Sequence, residues 1–444
     1  MLKTVKFGGS SLADAAQFKK AQAILSADES RRYVVVSAPG KRFDGDEKIT
    51  DLLYQCCSAA AHNRDFSPIF EKVCRRFEEI IQNLGLDLDL SRDFSEISGL
   101  LRAQPDADFA ASRGEYLSAR VMAALLDVPM IDAAECVFFD EVGLFDAQRT
   151  QQVLSARLAQ CPRAVLPGFY GRLPDGRVHT FSRGGSDITG AIVARACGAD
   201  LYENWTDVSG LLCCDPRIVQ NPSPIPCISY TELRELSYMG ASVLHEAAIF
   251  PVKTAGIPIN IRNTNDPDAP GTLIAADAAG DADHPVTGIA GRRDFSAILI
   301  EKEQMNETAG FAMRVLQVLY KYGLLLEHMP TGIDTLSVVV PTQLLEPHRD
   351  ALLREIQQVT QADSLSVQDN LTMIAIVGRG MVRRQGVSGR VFAALSRAGI
   401  NVNMIDQGSS ELNIIVGVDT ADFEPAINAL YTEFFGQACS KCPA

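Results

Sequence analysis

Short β-branched apolar runs that alternate with helical stretches constrain this chain more than any other feature. YVVVSAPG (33–40), AVLPGFYG (164–171) and LYENWTDVSG (201–210) read as strands closed by turn residues. Helical patterns such as DITGAIVARACGAD (187–200) lie between them. Strands of this kind, separated by helices, bury both faces in a mostly parallel sheet with helices above and below it. Residues 44–112 are polar and helical in pattern, and read as a helical excursion from that sheet.

The N-terminal strand carries a chemical hint. In MLKTVKFGGSSLADAAQFKKAQAIL, Val5 and Phe7 flank Lys6, and Gly8-Gly9-Ser10-Ser11 follow. Leu12, Phe18, Ala21 and Leu25 then fall near helical spacing. Strand, Gly-Ser turn and helix form the layout of a phosphate cradle, in which backbone N–H groups and the positive helix end face an anion. It is not the G-x-x-x-x-G-K-[ST] loop, because the lysine precedes the glycines. An ordinary strand–helix turn uses the same residues.

The Asp-, Ala-, Gly- and Pro-rich segment 266–286 marks a boundary. Beyond it the chain repeats itself: Gly310, Arg314, Val315, Leu319 and Gly323 correspond to Gly386, Arg390, Val391, Leu395 and Gly399. LSVVVP (336–341) and LNIIVGV (412–418) follow the two helices in the same relative position. Two tandem α/β modules of roughly 70 residues, stacked on one another, are expected.

With 444 residues, two or three domains are expected. A formal net charge of −14 argues against broad nucleic-acid or anionic-membrane binding. There is no uninterrupted apolar run of membrane-spanning length, and the N-terminus starts in a strand-like segment. The expectation is a cytoplasmic protein with its eleven cysteines reduced. Cys439 and Cys442 form a C-x-x-C, but no second ligand cluster accompanies them, so no metal site is expected.

Three further stretches bear on chemistry. FSRGGSDITG (181–190) is a second Gly-rich turn at a helix start, and it carries Arg183, whose planar fork suits a carboxylate or phosphate. NWTDVSGLLCCDPRIV (204–219) places Thr206, Asp207, Asp215 and Arg217 at a strand end and in the loop after it, where open α/β sheets bind ligands. SRGEYLSARVMAALL (112–126) places Glu115 at the start of a helical pattern. Singly, Arg183 reads equally as a helix-flanking charge, Glu115 as a helix-dipole partner, and Asp207 as a cap or turn residue. Two Gly/Ser turns, one with lysine and one with arginine, together favour a phosphate-handling site.

VKFGGSS, SRGEYLSAR, SRGGSDITGAI, NWTDVSG, DPRIV and MGASVLH occur here in the order seen in aspartokinases, which the chain resembles over nearly its whole length. These enzymes belong to the amino acid kinase superfamily, and the repeated modules resemble their paired ACT domains. The resemblance implies a carbamate-kinase-like three-layer α/β/α domain over 1–283. A first ACT module (ferredoxin-like βαββαβ) would cover 295–369, and a second would combine 284–294 with 370–444. The chain reaches 444 without a dinucleotide-binding G-x-G-x-x-G, so the expected enzyme is monofunctional, without a fused homoserine dehydrogenase.

The implied reaction takes L-aspartate and ATP to 4-phospho-L-aspartate and ADP, the first step of the pathway to lysine, threonine and methionine. The substrate's own carboxylate, with a pKa of about 4, is the nucleophile and needs no general base. The site must instead bring two anions together, which calls for cations, backbone N–H groups and Mg²⁺. By resemblance, Lys6 contacts the transferring phosphate, and Gly8, Gly9 and Ser10 cradle it. Thr50 and Glu115 hold aspartate, Glu115 through the ammonium. Arg183 grips the α-carboxylate beside Gly184 and Gly185, with Ser186 and Asp187 ordering the site. Thr206, Asp207, Arg217, Ser242 and Val243 hold the nucleotide. Two positions depart from the family pattern: Leu212 stands for a nucleotide-contacting tyrosine, and Ser242 for a lysine facing the ATP phosphates. Lys41 is the candidate replacement cation.

The resemblance also implies an amino-acid effector bound by Met305, Gly310, Phe311 and Glu327, with Asp334 nearby. Lysine is favoured, because Glu327 and Asp334 would put negative charge where its side chain ends. Segment 402–413 resembles the copy used for subunit pairing, so a homodimer or larger assembly is implied. The competing readings are a catalytically silent kinase fold that senses an amino acid, and an amino acid kinase acting on another carboxylate.

Overall fold

The computed structural model describes residues 1–182, 184–241, 246–276, 278 and 284–436. The described chain divides into two compact units. The first comprises Met1–Leu211, Ile225–Tyr230 and Ser242–Ala278. The second comprises Leu212–Pro224, Thr231–Ala241 and Ala279–Ala444.

The first unit holds β1 (Lys3–Phe7), α1 (Ala15–Ser26), β2 (Arg31–Val36), α2 (Ile49–Ala61), α3 (Ser67–Leu84), α4 (Ser91–Ala103) and α5 (Ala107–Leu126). There follow α6 (Ala133–Cys136), α7 (Ala147–Ala159), β3 (Ala164–Pro167), β4 (Tyr170–Arg172), β5 (Val178–Thr180), α8 (Gly185–Cys197) and β6 (Leu201–Thr206). β7 (Cys227–Ser229), α9 (Tyr230–Tyr238, which runs into the second unit), α10 (Glu246–Ala255), β8 (Ile259–Asn263) and β9 (Thr272–Ala275) complete it.

Seven strands form one sheet in the order β3-β2-β1-β6-β8-β9-β7, parallel except where β9 meets β8. β1 shows why the sheet is covered on both sides. Val5 and Phe7 enter an apolar core with residues of α1, α2 and α5. Thr4 and Lys6, pointing the other way, meet Cys197 and Asp187 of α8. The polar segment after β2 supplies four helices, α2 to α5, as the helical excursion requires.

Local boundaries differ from the sequence reading in three places. Leu12 belongs to a separate 3₁₀ turn (Ser10–Leu12), and α1 starts only at Ala15, where the Asp14 side chain accepts from the Gln17 N–H. The run 164–171 breaks into β3 and β4, because Gly168 packs against Ser186 and Phe169 takes a φ of 80°. Strand β6 stops at Thr206, so the second half of 201–210 is loop.

The second unit contains β10 (Gly288–Glu301), α11 (Phe311–Lys321), β11 (Thr335–Pro341), α12 (Thr342–Leu345), α13 (Arg349–Thr360) and β12 (Ser364–Val377). After these come α14 (Val387–Arg397), β13 (Met404–Asp406), β14 (Asn413–Asp419) and α15 (Phe423–Phe435). The repeat is present, since α11 and α14 start and end 76 residues apart. The two halves are not separate stacked modules, however. They share one antiparallel sheet, β11-β10-β12-β14-β13, through the long strands β10 and β12. The β10 register shifts between Arg292 and Phe295, and each half of the sheet has its own apolar core.

The nine cysteines among the described residues are free thiols, while Cys439 and Cys442 lie outside those residues. No described helix is long and apolar enough to cross a membrane.

Candidate active site

Strand order places a switch point at β1: β2 and β3 follow on one side and β6 lies on the other. The crevice beyond the carboxyl ends of such strands is where open α/β sheets bind ligands. Lys6 and Asn204 are register partners there. Lys6 Nζ lies 2.6 Å from Asp187 Oδ1 and 3.4 Å from Asn204 Oδ1. Asn204 Nδ2 donates to the same Asp187 oxygen at 2.9 Å. One buried lysine is thus fixed by two side chains, one from α8 and one from the neighbouring strand. Asn204 escaped the sequence reading, although a polar residue within the buried strand LYENWT was its signal.

The Gly-Ser turn follows directly. The Gly8 N–H donates to Trp205 O at 2.9 Å, which extends the β1–β6 pairing by one residue. Among the described residues, the amides of Gly9 and Ser10 have no acceptor. A Cβ on Gly9 would lie 2.9 Å from Ala38 O, and one on Gly40 would lie 2.8 Å from the Gly9 carbonyl carbon. The turns after β1 and β2 therefore touch backbone to backbone, joined by the Gly40 N–H to Gly9 O bond of 2.8 Å. The expected positive helix end is absent from this turn. Asp14 caps α1 with its own carboxylate, which leaves the turn amides and Lys6, among the described residues of this turn, as the groups suited to an anion.

Glu115 sits in the ninth position of α5, not at a helix start, so a helix-dipole role does not account for it. Gly114 lets α5 approach the loop after β2, since a Cβ there would lie 2.6 Å from that of Ala38. Glu115 is 5% exposed, and its Oε2 has no hydrogen-bond partner. Burial pushes its carboxyl up to about 8, against the opposing effects of the Ala38 backbone N–H, Arg113 and Lys6.

Thr50 lies in the first turn of α2. Gly184, with φ 76°, precedes the first residue of α8, and Gly185 abuts Phe169, where a Cβ would meet the ring at 2.5 Å. Ser186 is buried at the same helix start. The Thr206 hydroxyl lies 3.9 Å from the Cβ position of Gly8 and donates to Asp207, which is exposed. Lys41 is exposed one residue beyond Gly40. Arg183, Ser242 and Val243 lie outside the described residues. Arg217 belongs to the second unit, where its exposed guanidinium is paired with Asp215 at 2.6 Å.

The five effector candidates do not form one cluster. Met305 is buried in a 3₁₀ turn, Gly310 (φ 75°) caps α11, and Phe311 is buried. Asp334 joins them through Oδ1, which accepts from the Gln304 N–H at 2.9 Å. Glu327 instead pairs its backbone with Val339, four residues further along β11 than Thr335. That is about 14 Å away at ~3.4 Å per residue. The Glu327 carboxylate is already met by the Tyr238 hydroxyl and lies 3.7 Å from Arg292. Glu327 therefore does not offer the free negative charge expected of it for a lysine side chain. The segment 402–413 contributes β13, whose Asp406 accepts from His328 Nδ1 at 2.6 Å.

Residues 1–263 match the amino acid kinase family, and residues 374–434 match an ACT domain. The chain is 39% identical to aspartokinase 3 of Bacillus subtilis over 98% of its length and 99% of that protein. It is 46% identical to the crystal structure of Clostridium acetobutylicum aspartate kinase, with a TM-score of 0.89, covering 98% of this chain and 99% of that one. The fold is shared with Escherichia coli aspartokinase III at 24% identity and a TM-score of 0.74, over 98% of this chain and 100% of that one.

Proposed function

We propose, for a chain that belongs to the amino acid kinase family and within it to the aspartokinases, that the β1–β6 crevice is where phosphoryl transfer takes place. The chain is an aspartate kinase, which converts L-aspartate and ATP into 4-phospho-L-aspartate and ADP. One observation carries the site assignment: the fixed Lys6 ammonium at the end of β1 and a buried carboxyl oxygen without a partner, Glu115 Oε2 of α5, which packs against the loop after β2, lie beside the same switch point.

The aspartate side chain is ionised at neutral pH and attacks without a base. The Lys6 ammonium, held by Asp187 and Asn204, neutralises charge that develops on the transferring phosphoryl group. The amides of Gly9 and Ser10 face the same group. Glu115 receives the substrate ammonium, which supplies the missing partner of Oε2. Arg183, with the helix start at Gly184–Ser186, takes the α-carboxylate, and Thr50 borders the same pocket. Thr206, Asp207, Ser242 and Val243 serve the nucleotide, with Lys41 as the supplementary cation.

Among the described residues, no group of three or more His, Cys, Asp or Glu is arranged to hold a metal by itself. That suits Mg²⁺ shared with the nucleotide phosphates, for which a protein supplies one or two carboxylates, here Asp187. When bound, Mg²⁺ neutralises phosphate charge.

The ACT domain indicates allosteric regulation. We assign the two ACT modules to 295–369 and to 284–294 with 370–444, a division supported by the register shift in β10. Lysine is the proposed effector, at Met305, Gly310, Phe311 and Asp334. Escherichia coli aspartokinase III, which shares the fold, has been crystallised with lysine and aspartate. A cytoplasmic homodimer in lysine biosynthesis completes the reading. The test is ADP release in a coupled assay with aspartate, glutamate and N-acetylglutamate. Release with aspartate alone is expected. Release with neither aspartate nor the others would restore the silent sensor, and preference for another acid would reassign the substrate.

A further inference from the structure

The hairpin formed by β4 and β5 is tied to α5 through one carboxylate. Asp108 Oδ2 accepts from His179 Nδ1 at 2.7 Å, and Asp108 Oδ1 accepts from Thr180 Oγ1 at 2.7 Å. Both donors belong to β5, and Asp108 lies in the first turn of α5. The His179 ring stands edge-on to Phe139 with centroids 4.8 Å apart, and Phe181 packs on both Phe139 and Phe145. The Phe181 N–H donates to Phe169 O at 2.8 Å, and a Cβ on Gly185 would lie 3.0 Å from that of Phe181. Phe181, the residue after β5, therefore packs against the first residue of α8.

Asp108 and Glu115 are seven residues apart on α5, so two helical turns put both carboxylates on one side of it. One acid carries a buried oxygen without a partner, and the other holds the strand that precedes α8. We propose that Asp108 is a positioning residue for aspartate, fixing the distance between Glu115 and the start of α8 at Gly184–Ser186. This rests on the reading of those two elements as the ends of the aspartate pocket. The ammonium and α-carboxylate of an amino acid sit on one carbon, so the groups that recognise them must keep a constant spacing. Here they come from elements far apart in sequence, and Asp108 links those elements through two side-chain bonds. An acid in a first helical turn also favours the helix dipole. That role alone would not require His179 or Thr180.

The experiment is steady-state kinetics of the full chain, with calorimetric titration of aspartate beside it. Asp108→Ala is expected to raise the aspartate KM and Kd about tenfold and to leave the ATP KM and kcat within twofold. Asp108→Asn, which keeps an acceptor for Thr180, is expected to fall between. Thr180→Val should add nothing to Asp108→Ala, because the bond is already gone. Unchanged aspartate affinity in Asp108→Ala, an equal rise in the ATP KM, or additive effects of the two substitutions would overturn the proposal. Calorimetry reads aspartate affinity without turnover, so a failure of the kinase reading would be seen separately as the absence of aspartate-dependent ADP release in the wild-type chain.

Discussion

Replacing Glu115 by glutamine removes the ability to ionise and almost no volume from a side chain that is 5% exposed. The Ala38 N–H can still donate to the amide oxygen, so the local packing survives. What is lost is a charge-assisted contact to the substrate ammonium, of about 1.5–3 kcal/mol. At about 1.4 kcal/mol per factor of ten, the aspartate KM should rise roughly 10- to 150-fold, while the ATP KM stays within twofold. The same substitution has a signature without substrate. An ordinary glutamate ionises near about 4.3, whereas burial holds Glu115 near about 8. Between those values the unfolded chain gives up its proton first, so this group's contribution to stability falls as pH rises and levels off above 8. Glu115→Gln should then be no more stable than wild type at pH 4 and more stable at pH 9, by up to about 5 kcal/mol. Urea unfolding at the two pH values measures this, and coupled ADP release measures the KM. An aspartate KM within twofold of wild type would refute the ammonium assignment. A stability difference that does not change with pH would refute the burial argument.

Lys6→Ala should lower kcat about 100- to 1000-fold through loss of roughly 3–4 kcal/mol of preorganised charge stabilisation, and retention of a tenth of the rate would remove Lys6 from the transfer step. Gly40→Ala places a methyl 2.8 Å from the Gly9 carbonyl carbon, so the two turns must separate. A loss of about 1–3 kcal/mol in urea unfolding together with reduced kcat is expected, and normal kinetics would show that the turn contact does not shape the cradle. Glu327→Gln should leave inhibition by lysine intact because both the Tyr238 hydroxyl and the Arg292 guanidinium already meet its carboxylate, whereas Asp334→Asn, at a carboxylate met by one backbone N–H and by no cation among the described residues, should weaken it. Rates measured against added lysine decide, and loss of inhibition in Glu327→Gln alone would return the effector site to that residue.

Local patterns determined what the sequence alone could show. Period-two alternation in KTVKF requires that Val5 and Phe7 face one side and Lys6 the other, and the structure puts the first pair in the core and Lys6 against α8. The 76-residue offset was legible because repeated local patterns build repeated helices, here α11 and α14. Tertiary structure decided whatever depends on partners distant in sequence. Asn204 reaches Lys6 only because β1 and β6 pair in one register across about two hundred residues. The two halves of the repeat share β10 and β12 because strand pairing is chosen by the whole sheet, which a local pattern does not encode. For the same reason a sequence cannot show that Glu327 meets Tyr238 and Arg292, or that Glu115 Oε2 is left without a partner. Charge can be read from a sequence one residue at a time, but its compensation depends on three-dimensional neighbours.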